Sequence, residues 1–169
     1  MLTSSQVLDL LNQQIGNEFS ASLQYTAIAA HFEAEALPEL AAFFYKQSDE
    51  ERGHAYKFLK YVIDVGGRAA IPAIPAPICQ FQFAEQAIAL SLQREKEVTQ
   101  QIHHILRVAI SESDYTTQNF LQWFIEEQLE EVATMDHLLK VVQRAGEGGL
   151  LHVEQYLARK NQENQHDKD

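Results

Sequence analysis

One segment of this chain cannot be helical, and it divides everything else in two. It is GGRAAIPAIPAPICQF, residues 66–81, with prolines at 72, 75 and 77. Proline fixes φ, lacks an N–H and restrains the residue before it, so the segment favours extended chain. On either side, apolar residues recur at helical spacing over long stretches. Two precede the segment, from about Ser4 to Glu35 and from Pro38 to the Gly66-Gly67 pair. Two follow it, from about Phe83 to Ser111 and from Ser113 or Asp114 to Gly146. Thr3 reads as the first N-cap, with Gln6 completing a capping box, and Pro38 suits a first helical position. Each helix would be roughly 40–48 Å long at about 1.5 Å per residue. Short links make antiparallel neighbours, whereas the extended link can carry the chain back along a whole bundle. Short, long, short is the connectivity of an all-α four-helix bundle with one crossover. The amphipathic LLHVEQYLARK would add a short fifth helix. Residues 1–160 thus read as one domain, and 161–169, NQENQHDKD, as a polar, disordered tail.

The helical seams have unusual middles. The first carries Leu11, Ile15, Glu18, Ser22, Tyr25 and Ala29. The second carries Phe44, Gln47, Glu51, His54, Phe58 and Tyr61. The third gives Ile88, Leu92, Glu95, Thr99, Ile102 and Leu106. The fourth gives Phe120, Phe124, Glu127, Glu131, Thr134 and Leu138, with Gln128 beside the seam. A lone Glu-x-x-His is usually a solvated pair on a helix surface. Acid at matching depth on all four seams is different, because each uncompensated buried charge costs several kcal/mol. No lysine or arginine stands on a seam at that depth. Arg52 and Arg94 lie beside seam positions and would point away. A metal fits the missing positive charge.

Carboxylates with one imidazole and no thiolate suit iron or manganese, and zinc would also bind. The acid is too much for one divalent cation, which points to a pair. Di-iron carboxylate bundles take one glutamate from each of two helices and Glu-x-x-His from each of the other two. This chain supplies Glu18, Glu95 and one complete Glu51-x-x-His54. On the fourth helix the corresponding pair is Gln128-x-x-Glu131. One ion would be held by Glu18, Glu51 and His54, the other by Glu51, Glu95 and Glu131, with Gln128 close by.

Composition excludes other classes. A net charge of −11 argues against a nucleic-acid partner. Cys79 is the only cysteine, so there is no disulfide framework and no cysteine metal site. No apolar run is long enough for a membrane span, and MLTSSQVLDLL lacks a basic region followed by an apolar one. The expectation is a cytoplasmic protein.

These residues resemble the ferritin family, and the non-haem bacterial ferritins most closely. The resemblance runs from IGNEFSASLQY through SDEERGHA and REKEVTQQI to FLQWFIEEQLEEV. It implies a ferroxidase centre at Glu18, Glu51, His54, Glu95 and Glu131, with Gln128 nearby. There Fe²⁺ would be oxidised by O₂ or H₂O₂, and Fe³⁺ stored as a ferric oxyhydroxide mineral. A third, weaker iron site would map onto Glu50, Glu127 and Glu130. Tyr25 matches a tyrosine that hydrogen-bonds beside the pair and can give up an electron. The family further implies self-assembly into a closed homo-oligomeric cage of about 24 subunits. Haem is not expected. Arg52 stands where bacterioferritins place a haem methionine, and the only methionines are Met1 and Met135. The alternative is a di-iron oxidase or peroxidase of the same superfamily without a storage role.

Overall fold

A computed structural model describes residues 2–166 of the chain. Among them are five α-helices: α1 Ser5–Ala34, α2 Pro38–Asp64, α3 Ala84–Ser111, α4 Tyr115–Ala145 and α5 Leu150–His166. A 3₁₀ turn, Glu147–Gly149, precedes α5, and no strand occurs among the described residues. This is the ferritin-like bundle with one long crossover and a short C-terminal helix. No helix of the described residues is long and apolar enough to cross a membrane.

Two boundaries differ from the sequence expectation. The cap of α1 is Ser4, whose hydroxyl accepts the Val7 N–H at 3.2 Å. Thr3 is buried and spends its hydroxyl on the Asp114 carboxylate, tying the chain's start to the α4 N-cap. Gln6, exposed, completes no capping box. At the other end, α5 continues to His166, into the segment read as a disordered tail. Residues 167–169 lie outside the described residues.

α1 and α2 are antiparallel neighbours joined through Ala36, which takes a left-handed φ of 58°. α3 and α4 are joined through Ser113 at φ 56°. The crossover runs along α1 in extended form. Asn12 accepts from the Ala70 N–H at 2.9 Å, and the Gln24 amide bonds both backbone groups of Ile78. Between these anchors Gly16 makes room: a Cβ there would lie 2.3 Å from Cγ of Pro72.

The helix starts near α5 are capped from outside. α2 begins at Leu37, which has no side chain to cap it, and the buried Glu154 of α5 accepts the Glu39 and Leu40 N–H groups at 2.8 and 2.9 Å. Glu147 accepts from the Ala84 N–H at the start of α3. Both carboxylates satisfy orphan donors at a positive helix end.

The core is two apolar clusters rather than one. The first gathers Tyr25, Ile28, Phe32, Leu40, Phe44, Ile88, Met135 and Leu138. The second gathers Val7, Leu11, Ile15, Phe58, Val62, Ile102, Leu121 and Phe124. In each helix these two sets flank the acid of the seam. α2 and α4 meet through rings, with Phe58 stacked on Phe124 at 4.2 Å and Tyr61 on Phe120 at 3.9 Å.

Candidate metal centre

Between the two clusters lies a polar layer that every long helix contributes to. α1 supplies Glu18, α2 Glu51 and His54, α3 Glu95, and α4 Gln128 and Glu131, and all six are buried. Helical periodicity accounts for the placement: on each helix the polar residues lie one or two turns from apolar residues of the clusters and share their face.

Glu18, Glu51 and His54 each offer one ligand atom within 4.8 Å of the others. Glu51 Oε2 and His54 Nδ1 are 3.4 Å apart. Glu18 Oε2 and Glu51 Oε1 are buried with no hydrogen-bond partner. Orphaned carboxylate oxygens in a dry core are costly unless a cation or proton meets them. Glu95 is differently placed. Its Oε1 accepts the Tyr25 hydroxyl, and its Oε2 accepts Gln128 Nε2 at 3.0 Å. Gln128 Nε2 also reaches the Glu95 carbonyl at 3.2 Å.

The electrostatics follow. Burial and then the nearby Glu51 push Glu18 well above the ordinary carboxylate range. Burial and then Glu95 do the same to Glu51. Burial raises Glu95, while hydrogen bonds from Tyr25 and Gln128 pull it back. Glu131 is pushed up to about 8 by burial and by Glu95, Glu50 and Glu127, with Lys46 opposing. Tyr25 is raised well above its usual value by burial and by Glu95. The two arginines beside the seams are turned outward, Arg52 to Asp49 and Arg94 to Glu97. An oxygen-rich donor set with one imidazole, orphaned oxygens and no buried cation suits a pair of hard or borderline divalent ions.

The residues expected for a third site are less closely gathered. Glu50 and Glu127 are half-buried, and both act on Glu131. Glu50 is bonded by Gln47 Nε2 at 2.7 Å and lies 3.3 Å from Lys46 Nζ. Glu130 is exposed and takes no part in these interactions.

The comparisons with known proteins belong here. The family model for the ferritin-like domain matches residues 8–145. This chain belongs to the ferritin family. It is similar to Ferritin BfrB of Mycolicibacterium smegmatis, with 43% identity over 164 residues, 94% of this chain and 90% of the relative. Ferritin BfrB of Mycobacterium tuberculosis is 43% identical over 150 residues, 89% of this chain and 82% of the relative. A bacterial non-heme ferritin of Staphylococcus aureus is 34% identical over 146 residues, 86% and 88% of the two chains. Among solved structures, an open pore ferritin from the hyperthermophilic archaeon Archaeoglobus fulgidus superposes with a TM-score of 0.88 at 30% identity, covering 91% of this chain and 96% of that one.

Within this family, three features of the site differ from the sequence reading or escape it. On α4 the buried seam is Leu121, Phe124, Gln128, Glu131, Met135 and Leu138. Gln128 is therefore on the seam, whereas Glu127, Phe120 and Thr134 are only half-buried. Gln14, which the sequence reading passes over, is buried and bonds Glu18. Trp123, also absent from that reading, stands edge-on to the His54 ring at 5.4 Å and carries Lys57 Nζ 3.0 Å above its own ring.

Proposed function

We propose that this chain stores and detoxifies iron by oxidising Fe²⁺ at a paired site in the middle of its bundle. The observation that carries the reading is the buried layer of four carboxylates and one imidazole with two orphaned oxygens, in a chain of the ferritin family. One Fe²⁺ would be held by Glu18, Glu51 and His54, the other by Glu51, Glu95 and Glu131. Each Fe²⁺ gives up one electron. O₂ takes the two electrons with two protons and leaves as H₂O₂, or H₂O₂ takes them and leaves as water. Carboxylates favour the product, because anionic oxygen donors stabilise the higher charge of Fe³⁺. Gln128 and Tyr25 orient Glu95 from both of its oxygens, and Tyr25 would be an electron donor during oxygen reduction. Glu50, Glu127 and Glu130 would form a weaker third site on the way out of the pair. Fe³⁺ would then collect as a ferric oxyhydroxide mineral inside a cytoplasmic cage of about 24 copies.

The test is aerobic Fe²⁺ addition followed by stopped-flow absorbance for the wild type, Glu51→Ala and His54→Ala. Both variants should lose the fast oxidation phase, and retention of that phase by both would refute the site. Light scattering tests storage separately. A monomer or dimer encloses no cavity and would leave only an oxidase or peroxidase.

A further inference from the structure

Gln14 sits one helical turn before Glu18 on the same face of α1 and is 1% exposed. Its Nε2 donates to Glu18 Oε1 at 2.8 Å. Its own Oε1 accepts Asn17 Nδ2 at 3.1 Å. The second bond fixes the first. An amide can turn over and exchange its donor and acceptor ends, but while Asn17 Nδ2 faces it Gln14 keeps its oxygen there, and an ionised Glu18 accepts only the donor end. Nε2 is left facing Glu18. A reversed Gln14 would set its oxygen against a carboxylate oxygen and leave its NH₂ facing the Asn17 NH₂. The other oxygen of Glu18, Oε2, is buried without a partner, and Glu18 offers one ligand atom to the carboxylate–imidazole group formed with Glu51 and His54.

We infer that Gln14 is a positioning residue that makes Glu18 a one-oxygen metal ligand, with Asn17 locking the Gln14 amide in the required sense. Oε1 is held back by Gln14, and Oε2, without a partner, would be left for the ion. Chelation through both oxygens would require breaking the 2.8 Å bond and leaving a buried NH₂ without an acceptor. Glu18 therefore takes one coordination position on its ion rather than two. Outer partners of this kind orient a ligand and tune its basicity, and their loss typically lowers metal affinity about 10–100-fold. The inference rests on the reading of Glu18, Glu51 and His54 as ligands.

The experiment is an anaerobic Co²⁺ titration of the full-length protein, with the d–d absorption reporting affinity and coordination number. Gln14→Met keeps side-chain length and bulk but removes the donor. It should bind the first Co²⁺ about tenfold more weakly or worse. Its d–d band should weaken and shift as Glu18 closes on the ion with both oxygens, while helix content and assembly size stay as in the wild type. Asn17→Ala, at a half-buried position, leaves Gln14 in place but free to turn over, and should give a smaller loss with the same band change. Packing alone would move neither the band nor the Asn17 variant. Gln14→Met binding within twofold of wild type with an unaltered band overturns the inference. Should Gln14→Met fail to fold, Asn17→Ala decides in the same way. Glu51→Ala separates the two levels. If it binds Co²⁺ like the wild type, the ligand reading fails and the positioning role falls with it. If it abolishes binding while the Gln14 and Asn17 variants bind normally, only the positioning role is overturned.

Discussion

Loading the paired site with divalent ions should expel protons, and Glu131 sets the least number. Burial raises Glu18 and Glu51 well above the ordinary carboxylate range, and Glu131 to about 8. At pH 6.5 a group titrating near 8 is roughly 97% protonated. Glu95 is raised too, but Tyr25 and Gln128 donate to it and favour its ionised form. Glu131 alone therefore holds about one proton in the metal-free layer, burial favours the protonated forms of Glu18 and Glu51 beside it, and metal ligation requires these carboxylates ionised. Two ions bound at pH 6.5 should release at least one proton, so their combined affinity should rise about tenfold or more per pH unit there. The effect on the metal-free fold has the opposite sign. A carboxyl raised in the folded state favours folding at low pH. That contribution is complete below the unfolded value near 4.5 and is lost as pH rises through the folded value. For Glu131 alone, a rise from 4.5 to about 8 corresponds to about 5 kcal/mol lost across that window. Calorimetry of anaerobic Co²⁺ binding in two buffers of different protonation enthalpy counts the protons. Glu131→Gln should release one fewer than the wild type. Fewer than one proton per pair of ions, or an unchanged count in Glu131→Gln, would refute the reasoning.

Two further predictions concern the frame around the site. Gly16→Ala puts a Cβ 2.3 Å from a Pro72 ring carbon, in a crossover pinned on both sides by Asn12 and Gln24. The clash should outweigh alanine's better helix propensity and destabilise by about 1–3 kcal/mol in denaturant unfolding, with faster amide exchange at Ala70 and Ile78. A more stable variant would show that the crossover yields freely. Glu154→Ala leaves the Glu39 and Leu40 N–H groups without their acceptor. It should cost about 1–3 kcal/mol and remove exchange protection from those two amides, and unchanged protection there would mean that α5 does not cap α2.

Much of this architecture is legible because its punctuation is strong. Pro38, the prolines of the crossover and the glycines at 66 and 146 leave little freedom in where the long helices stop. The misreadings come from positions where helical spacing permits two answers. From Phe124 to Glu131 a seam can step through Glu127 or through Gln128, since three then four and four then three both make seven. What decides is tertiary: Gln128 reaches Glu95 on α3, and Glu127 does not. The same ambiguity hid Gln14. The step from Leu11 to Glu18 passes through Ile15 or Gln14, the apolar choice is the obvious one, and the structure buries both. Thr3 failed as a cap for a third reason, because its hydroxyl bonds a residue 111 positions away. Periodicity locates the face of a helix to within one neighbouring residue, and the partner across the bundle settles which one.

The split core gives the polar layer its meaning. A bundle that continued its apolar seams through the middle would gain burial there and lose nothing that folding needs, since replacing buried ionic groups with apolar ones is often neutral or stabilising. This chain instead ends one cluster at Leu11, Ile15, Phe58 and Phe124 and begins the other at Tyr25, Phe44, Leu92 and Met135, with Glu18, Glu51, Glu95 and Glu131 between them. Without metal the layer survives by keeping protons on its acids, as the raised Glu18, Glu51 and Glu131 indicate. The two aromatic-rich clusters hold the helices in place whether those protons are present or not. Phe58 and Phe124, stacked one turn from His54, anchor that side of the layer, and truncating either to alanine would cost about 3–5 kcal/mol. A scaffold fixed at both ends lets the carboxylates exchange protons for ions while the helices that carry them stay where they are.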